Sequence, residues 1–336
     1  MAYDKFVPQN VAPLNTRRIG IYDENGNRVG QIPLGSLTPP NQGEKLYSFM
    51  LISDLHIGDS TAIDDYKRCL AWANENVDFV CECGDLIHGG ADAVAYQTTK
   101  YLECRDIATI PVYSTSGNHD GAHVAGIKTA ADSYEHYLLR SCRQQGDDVF
   151  VFIGTRSTTV GQLFTEDDLK WLAQTLEANK DKRVFLFSHV RPDDACGNAL
   201  GIYDYDIWGG TEQTTFEALL RKYPNIVLFH GHSHIKFSLQ ERDKTANIDR
   251  HFGCWSVHVP SITVPRGTES AVNTTRVELY AESEGYVVDV YENGIHLRGR
   301  DFEKGEFLPI ASYWLDTTLR TVGAGTYTDS TGTITT

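Results

Sequence analysis

From Tyr47 onward, short apolar runs alternate with longer stretches of helical spacing. YSFMLISD, VDFVCECGD, RVFLFSH and IVLFHGH have strand length, each apolar until polar residues close it. Between them, AIDDYKRCLAWANEN places Ile63, Tyr66, Leu70 and Ala73 on one helical face. AVAYQTTKYLECRD reads as a second helix, and IPVYSTSGNHD as a strand running into a loop. TEDDLKWLAQTLEANK opens with a Thr-x-x-Asp resembling a capping box and spaces Leu169, Leu172 and Leu176 helically. Strands alternating with helices predict an α/β architecture around a largely buried sheet.

The flanks read differently. RRIGIYDENGNRVGQIPL carries short alternating runs around DENGN, a hairpin signal, and Pro39, Pro40 and NQGEK read as a linker. The C-terminal third turns to β in HFGCWSVHVPSITV, RVELYAES, YVVDVYENG and IHLRGRDF, with a hairpin turn at Glu292-Asn293-Gly294. TVGAGTYTDSTGTITT lacks a packing pattern, so it is either disordered or a strand in need of a partner. The expected division is a β-hairpin appendage and linker over 1–45, a main domain over 46–316 and a Thr/Gly-rich tail over 317–336.

Composition narrows the class. A hydrophobic fraction of 41% over 336 residues suits a globular protein with a sizeable core. No uninterrupted apolar stretch approaches the roughly 18 residues of a membrane span, and the N-terminus has no apolar signal region. A cytoplasmic location is the expectation. The net charge of −15 argues against a long nucleic-acid track. It leaves room for a phosphorylated substrate, because bound cations reverse the local field in a cleft. Cys81 and Cys83 flank Glu82 on one face of a strand and read as buried, reduced thiols.

The strong polar clusters all fall at the ends of predicted strands. Asp54 and His56 follow FMLIS; two residues apart, they are expected to point the same way. Asp85 ends VDFVCECG, Asn118 and His119 follow VYSTSG, His189 ends VFLFS, and His232 and His234 follow IVLFHG. In α/β sheets, ligands bind outside the carboxyl ends of strands, so these residues can converge. Imidazole with carboxylate suits manganese, iron or zinc. Asp85 is able to bridge two ions, and Asn118 adds a neutral oxygen. Two ions about 3.5–4 Å apart clamp a phosphoryl group and generate a hydroxide for in-line attack.

In this order SDLH, CGD, SGNHD, the isolated FSH and HGHSH resemble the motif series of calcineurin-like metallophosphoesterases, over roughly residues 47 to 300. The resemblance implies a four-layer α/β/β/α sandwich and a phosphoric ester hydrolase with two divalent metal ions per chain. By motif, Asp54, His56 and His234 would bind the first metal, Asp85 would bridge, and Asn118, His189 and His232 would complete the second. His119 would act as general acid or phosphate hydrogen-bond donor, with Asp120 behind it. Some branches carry G-D-x-x-D, whose second Asp supports that histidine. Here GDLIHG puts His88 in its place.

Substrate contacts are expected from His88, His123, Arg191, Tyr205 and Trp208, most of them in or near the long aromatic segment after His189. His230 reads as structural. A small nucleotide-like diester is the favoured substrate, since GNHD with GHSH resembles the bacterial cyclic-nucleotide phosphodiesterase branch. A nuclease is one alternative. Another is a phage-related structural or binding component that retains the metal site, with the terminal segments joining copies of the chain.

Overall fold

The computed structural model describes residues 17–22, 28–34, 42–90, 93–121, 139–157, 162–192, 195–197, 210–239, 247–250, 252–268, 276–317, 326–329 and 332–335. An antiparallel hairpin pairs β1 (Arg17–Tyr22) with β2 (Arg28–Leu34). The first large sheet has the order β16-β15-β14-β3-β4-β5. Its parallel half is β3 (Lys45–Ile52), β4 (Phe79–Cys83) and β5 (Val112–Thr115). Its antiparallel half is β14 (Glu284–Tyr291), β15 (Gly294–Asp301) and β16 (Glu306–Asp316).

The second sheet has the order β10-β11-β9-β8-β7-β6. Its parallel centre is β7 (Asp148–Ile153), β8 (Val184–Ser188), β9 (Ile226–His230) and β11 (Trp255–His258). Antiparallel β6 (Arg140–Gln145) and β10 (Ile248–Asp249) close its edges. Two small hairpins remain, β12 (Arg266–Thr268) with β13 (Arg276–Glu278) and β17 (Thr326–Asp329) with β18 (Gly332–Thr335).

Strand period decides the layers. In β8, Phe185 and Phe187 face the other sheet while Val184 and Leu186 face helices; β7 and β9 repeat the pattern. The sheets therefore meet through an aromatic core that includes Phe49, Phe79, Phe150, Phe187 and Phe229. Helices α1 (Ala62–Asn76) and α2 (Val94–Arg105) cover the first sheet through Tyr66, Leu70, Ala73 and Tyr101. The one-turn α3 spans Asn118–Gly121. Helices α4 (Glu166–Ala178) and α5 (Gly210–Lys222) cover the second sheet through Leu169, Leu172, Leu176, Phe216 and Leu220. The capping box at Thr165 and Asp168 is formed. This is the expected α/β/β/α sandwich, and its central parallel strands β4, β8 and β9 are buried on both faces because both are covered. Cys81 and Cys83 point into the aromatic core as free, buried thiols.

Glu82 points the other way, under α1 and α2, and is fully buried. It accepts hydrogen bonds from Tyr66 Oη, from Tyr101 Oη at 2.7 Å and from Ser114 Oγ at 2.6 Å. Glu82→Ala would strand these hydroxyls in the helix interface. It is expected to cost about 2–5 kcal/mol, the penalty of leaving buried polar groups unpaired. Urea unfolding with an unchanged midpoint would contradict this.

Candidate metal centre

Asp54 and His56 follow β3, Asp85 follows β4, Asn118 opens α3 beyond β5, His189 follows β8, and His232 and His234 follow β9. The expectation that Asp54 and His56 converge by strand alternation is corrected by the backbone. Asp54 has φ 54° and His56 φ 46°, as the chain turns left-handed on leaving β3. With Asp85 at 51°, His232 at 72° and His234 at 60°, these are the only positive-φ non-glycine residues among those described. Such backbone costs about 1–3 kcal/mol per residue and persists only where surrounding structure imposes it. Here it falls on five of the seven candidate ligands. The turns are locked to each other, with Asp54 N donating to Gly84 O at 3.0 Å and His56 N to Asp85 O at 2.9 Å.

Close approach explains two motif glycines. Gly84 has φ +89° and a Cβ there would lie 2.5 Å from His189 Cβ. At Gly117 an added Cβ would lie 2.1 Å from Asp85 Oδ1. Gly117→Ala is therefore expected to displace the Asp85 carboxylate and lower metal content while the chain still folds. Elemental analysis that finds parental metal content in the variant would contradict this.

The side chains meet in the interior. His234 Nε2 lies 2.9 Å from Asp54 Oδ1 and 3.1 Å from His56 Nε2. Asp85 Oδ2 lies 3.1 Å from His189 Nε2 and 3.5 Å from His56 Nε2. Two groups of donor atoms, each within 4.8 Å, share Asp85: Asp54, His56, Asp85 and His234, and Asp85, His189 and His232. The outward nitrogens are fixed by main chain, His189 Nδ1 to Cys83 O at 2.7 Å and His234 Nδ1 to Val264 O at 3.1 Å. A carbonyl partner sets the tautomer and leaves Nε2 with a lone pair for a ligand. Backbone NH groups hold the carboxylates, His232 N to Asp54 Oδ2 at 3.1 Å and His119 N to Asp85 Oδ1 at 2.9 Å.

Asp54 Oδ1, Asn118 Oδ1, His189 Nε2 and His232 Nε2 are buried and lack a hydrogen-bond partner despite these short approaches. Unpaired buried polar atoms cost about 1–3 kcal/mol each. Asp54, His189 and His232 gather with their neighbours around Asp85, and such carboxylate and imidazole donors fit divalent cations. The same groups interact strongly through their charges. Burial would raise Asp54, but His234, His189 and His56 hold its carboxyl well below the usual range. Asp85 is likewise lowered against burial, first by His189. Burial also works against charge on His189, yet Asp85 and Asp54 raise it to about 9. Burial and the neighbouring His189 push His232 down to about 3.

His119 and Asp120 have distinct places. His119 is half-buried, and its Nδ1 bonds the main-chain carbonyl of His88 at 2.5 Å. Asp120 is buried and accepts from Leu86 N and Ile87 N at 3.0 Å and from Gly117 N at 2.8 Å. It ties the loops bearing Asp85 and Asn118 together. Burial and the charge of Asp85 push its carboxyl up to about 7. The support of His119 is thus a carbonyl, which no side-chain motif encodes.

His88 stands exposed at the mouth, its ring centroid 5.6 Å from that of His56 and 5.5 Å from that of His119. Arg191 is buried, donates to Pro192 O at 3.0 Å, and its charge acts on His230 and His258. His230 is fully buried beside Ser256 Oγ at 3.1 Å. His123, Tyr205 and Trp208 lie outside the described residues. Sequence reasoning missed Asp59, which reaches His88, and His258, which holds Ser233 Oγ at 2.8 Å inside the HGHSH turn. Spacing carried no signal for either.

A double-sheet sandwich with a buried Asp/His cluster beyond its parallel strands has the build of a metal-dependent phosphoesterase. The chain belongs to the calcineurin-like phosphoesterase family, whose model matches residues 47–236. It is a phosphoric ester hydrolase by that membership. The fold is similar to the purple acid phosphatase PPD1 of yellow lupin, with a TM-score of 0.54 at 13% identity over 89% of this chain and 59% of that one. It is also similar to GAP50, the anchor in the inner membrane complex of Plasmodium, with a TM-score of 0.54 at 14% identity over 81% of this chain and 89% of that one. No curated protein matches the sequence. Among the described residues, no helix is long and apolar enough to cross a membrane.

Proposed function

We propose that the chain hydrolyses small phosphoesters, with a nucleotide-like diester as its preferred substrate, at a centre of two divalent ions. The gathering of Asp54, His56, His189, His232 and His234 around Asp85, with buried donor atoms left unpaired on Asp54, His189 and His232, carries this reading. Asp54, His56 and His234 would hold one ion, Asn118, His189 and His232 the other, and Asp85 both. When bound, such ions lower the pKa of water toward about 7 and offset phosphoryl charge.

The chain's own groups do the rest. With Nδ1–H donating to the His88 carbonyl, His119 in its imidazolium form has Nε2–H to meet a substrate oxygen and to hand its proton to the leaving group. Asp120 keeps the Asp85 and Asn118 loops in register. Residues 46–316 form the catalytic unit in this reading, with the terminal hairpins outside it. The preference for a diester rests on motif style, and the acidic balance disfavours long polyanions.

A panel of bis-p-nitrophenyl phosphate, p-nitrophenyl phosphate, cyclic nucleotides and glycerophosphodiesters, assayed with manganese, iron and zinc, tests this. Higher kcat/KM for diesters is the expected result. Faster turnover of monoesters would overturn the substrate preference. Bound metal without turnover on any ester would favour a binding role instead.

A further inference from the structure

Outside the seven candidate ligands, one titratable pair stands at the mouth of the centre. The loops after β3 and β4 are joined by main-chain bonds, Ile57 N to Leu86 O at 3.1 Å and His88 N to Ile57 O at 3.1 Å. This pairing sets Asp59 against His88, with Oδ1 and Nδ1 3.0 Å apart. Buried Gln97 of α2 braces the same loop, accepting from Gly89 N at 2.9 Å and donating to Gly89 O at 3.1 Å. The His88 side chain is nevertheless 49% exposed, against 4% or less for those of Asp54, His56, Asp85, His189 and His234.

Asp59 fixes the direction of the His88 ring, and Gln97 holds the next residue of the same loop. With Nδ1 committed to Asp59, Nε2 is the nitrogen left to face a ligand. Ring nitrogens of His56, His88 and His119 lie within 4.8 Å of one another. With His88 and His119 ring centroids 5.5 Å apart, two imidazolium rings can each donate Nε2–H to one shared oxygen at about 2.8 Å. A third cation fits less well, because His56 Nε2 is already turned to His234 and Asp85.

We propose that Asp59 and His88 form an anchoring pair in which His88 joins His119 in binding one phosphoryl oxygen of the substrate. The proposal rests on the phosphoesterase reading of the centre and adds to it a contact that the ligand motifs do not supply. Asp59 is a positioning residue that orients the imidazole. Residue 88 then serves twice, through its carbonyl for His119 and through its ring for the substrate.

Inorganic phosphate is the probe, titrated by calorimetry into the manganese-loaded full chain. His88→Ala is expected to weaken phosphate binding by about tenfold or more, the loss of one charge-assisted hydrogen bond. Manganese content should not change, since the carbonyl that holds His119 remains. Asp59→Asn is expected to give a smaller weakening in the same direction, and His88→Gln, which keeps a donor, to recover part of the affinity. In turnover, KM should rise more than kcat falls. Parental phosphate affinity in His88→Ala at full manganese content would overturn the pair alone. Loss of manganese in His88→Ala would make His88 a ligand and overturn the proposal. A parent chain that binds neither manganese nor phosphate would overturn the underlying reading, and the pair with it.

Discussion

Replacing Asp85 by asparagine is expected to empty both metal sites and abolish most turnover. Asp85 alone belongs to both donor groups, with one oxygen 3.1 Å from His189 and 3.5 Å from His56. Its other oxygen is tied to His119 N at 2.9 Å. Asparagine keeps the shape but removes the charge that offsets two cations. Loss of a partner behind a ligand costs about 10–100-fold in metal affinity. A ligand shared by both ions should exceed that range. Metal content and kcat/KM, measured after dialysis against limiting manganese, check the prediction. Retention of both ions would show that Asp85 does not join the two groups.

His119→Ala is expected to do the opposite, leaving metal content intact while kcat falls on the order of a hundred- to ten-thousandfold, the usual contribution of a positioned acid or base. The side chain donates nothing to the two deep groups; its contacts are the His88 carbonyl and the rings of His56 and His88. The effect should shrink for p-nitrophenyl esters, whose leaving group needs little protonation, and be largest for alkyl esters. Loss of metal in the variant would place His119 among the ligands instead.

Much of this architecture is legible in the sequence because it follows local periodicity. The Phe/aliphatic alternation of VFLFS and the Leu169, Leu172, Leu176 spacing state which face each element buries. The β14–β15 hairpin is marked by its turn, with Val290 paired to Ile295 across it. Non-local pairing is less visible. Nothing in YVVDVYENG says that β14 lies beside β3 and completes the first sheet. At the site, side-chain types are legible and their supports are not. The carbonyls of Cys83, His88 and Val264 orient His189, His119 and His234, and a carbonyl leaves no mark on residue identity. The expected convergence of Asp54 and His56 had the right partners and the wrong cause. Left-handed turns aim them, imposed by bonds to a loop about 30 residues away in the chain. The pairing of Asp59 with His88 is likewise set by main-chain bonds between loops distant in the chain.

Asp54, His56, Asp85, Asn118, His189, His232 and His234 are expected to form one centre for two ions. The most direct measurement is anomalous diffraction from manganese-loaded crystals, with elemental analysis of the same preparation. Two manganese peaks per chain, flanking the Asp85 carboxylate, are the predicted result. A single peak, or none at this position while the chain still hydrolyses phosphoesters, would contradict the account.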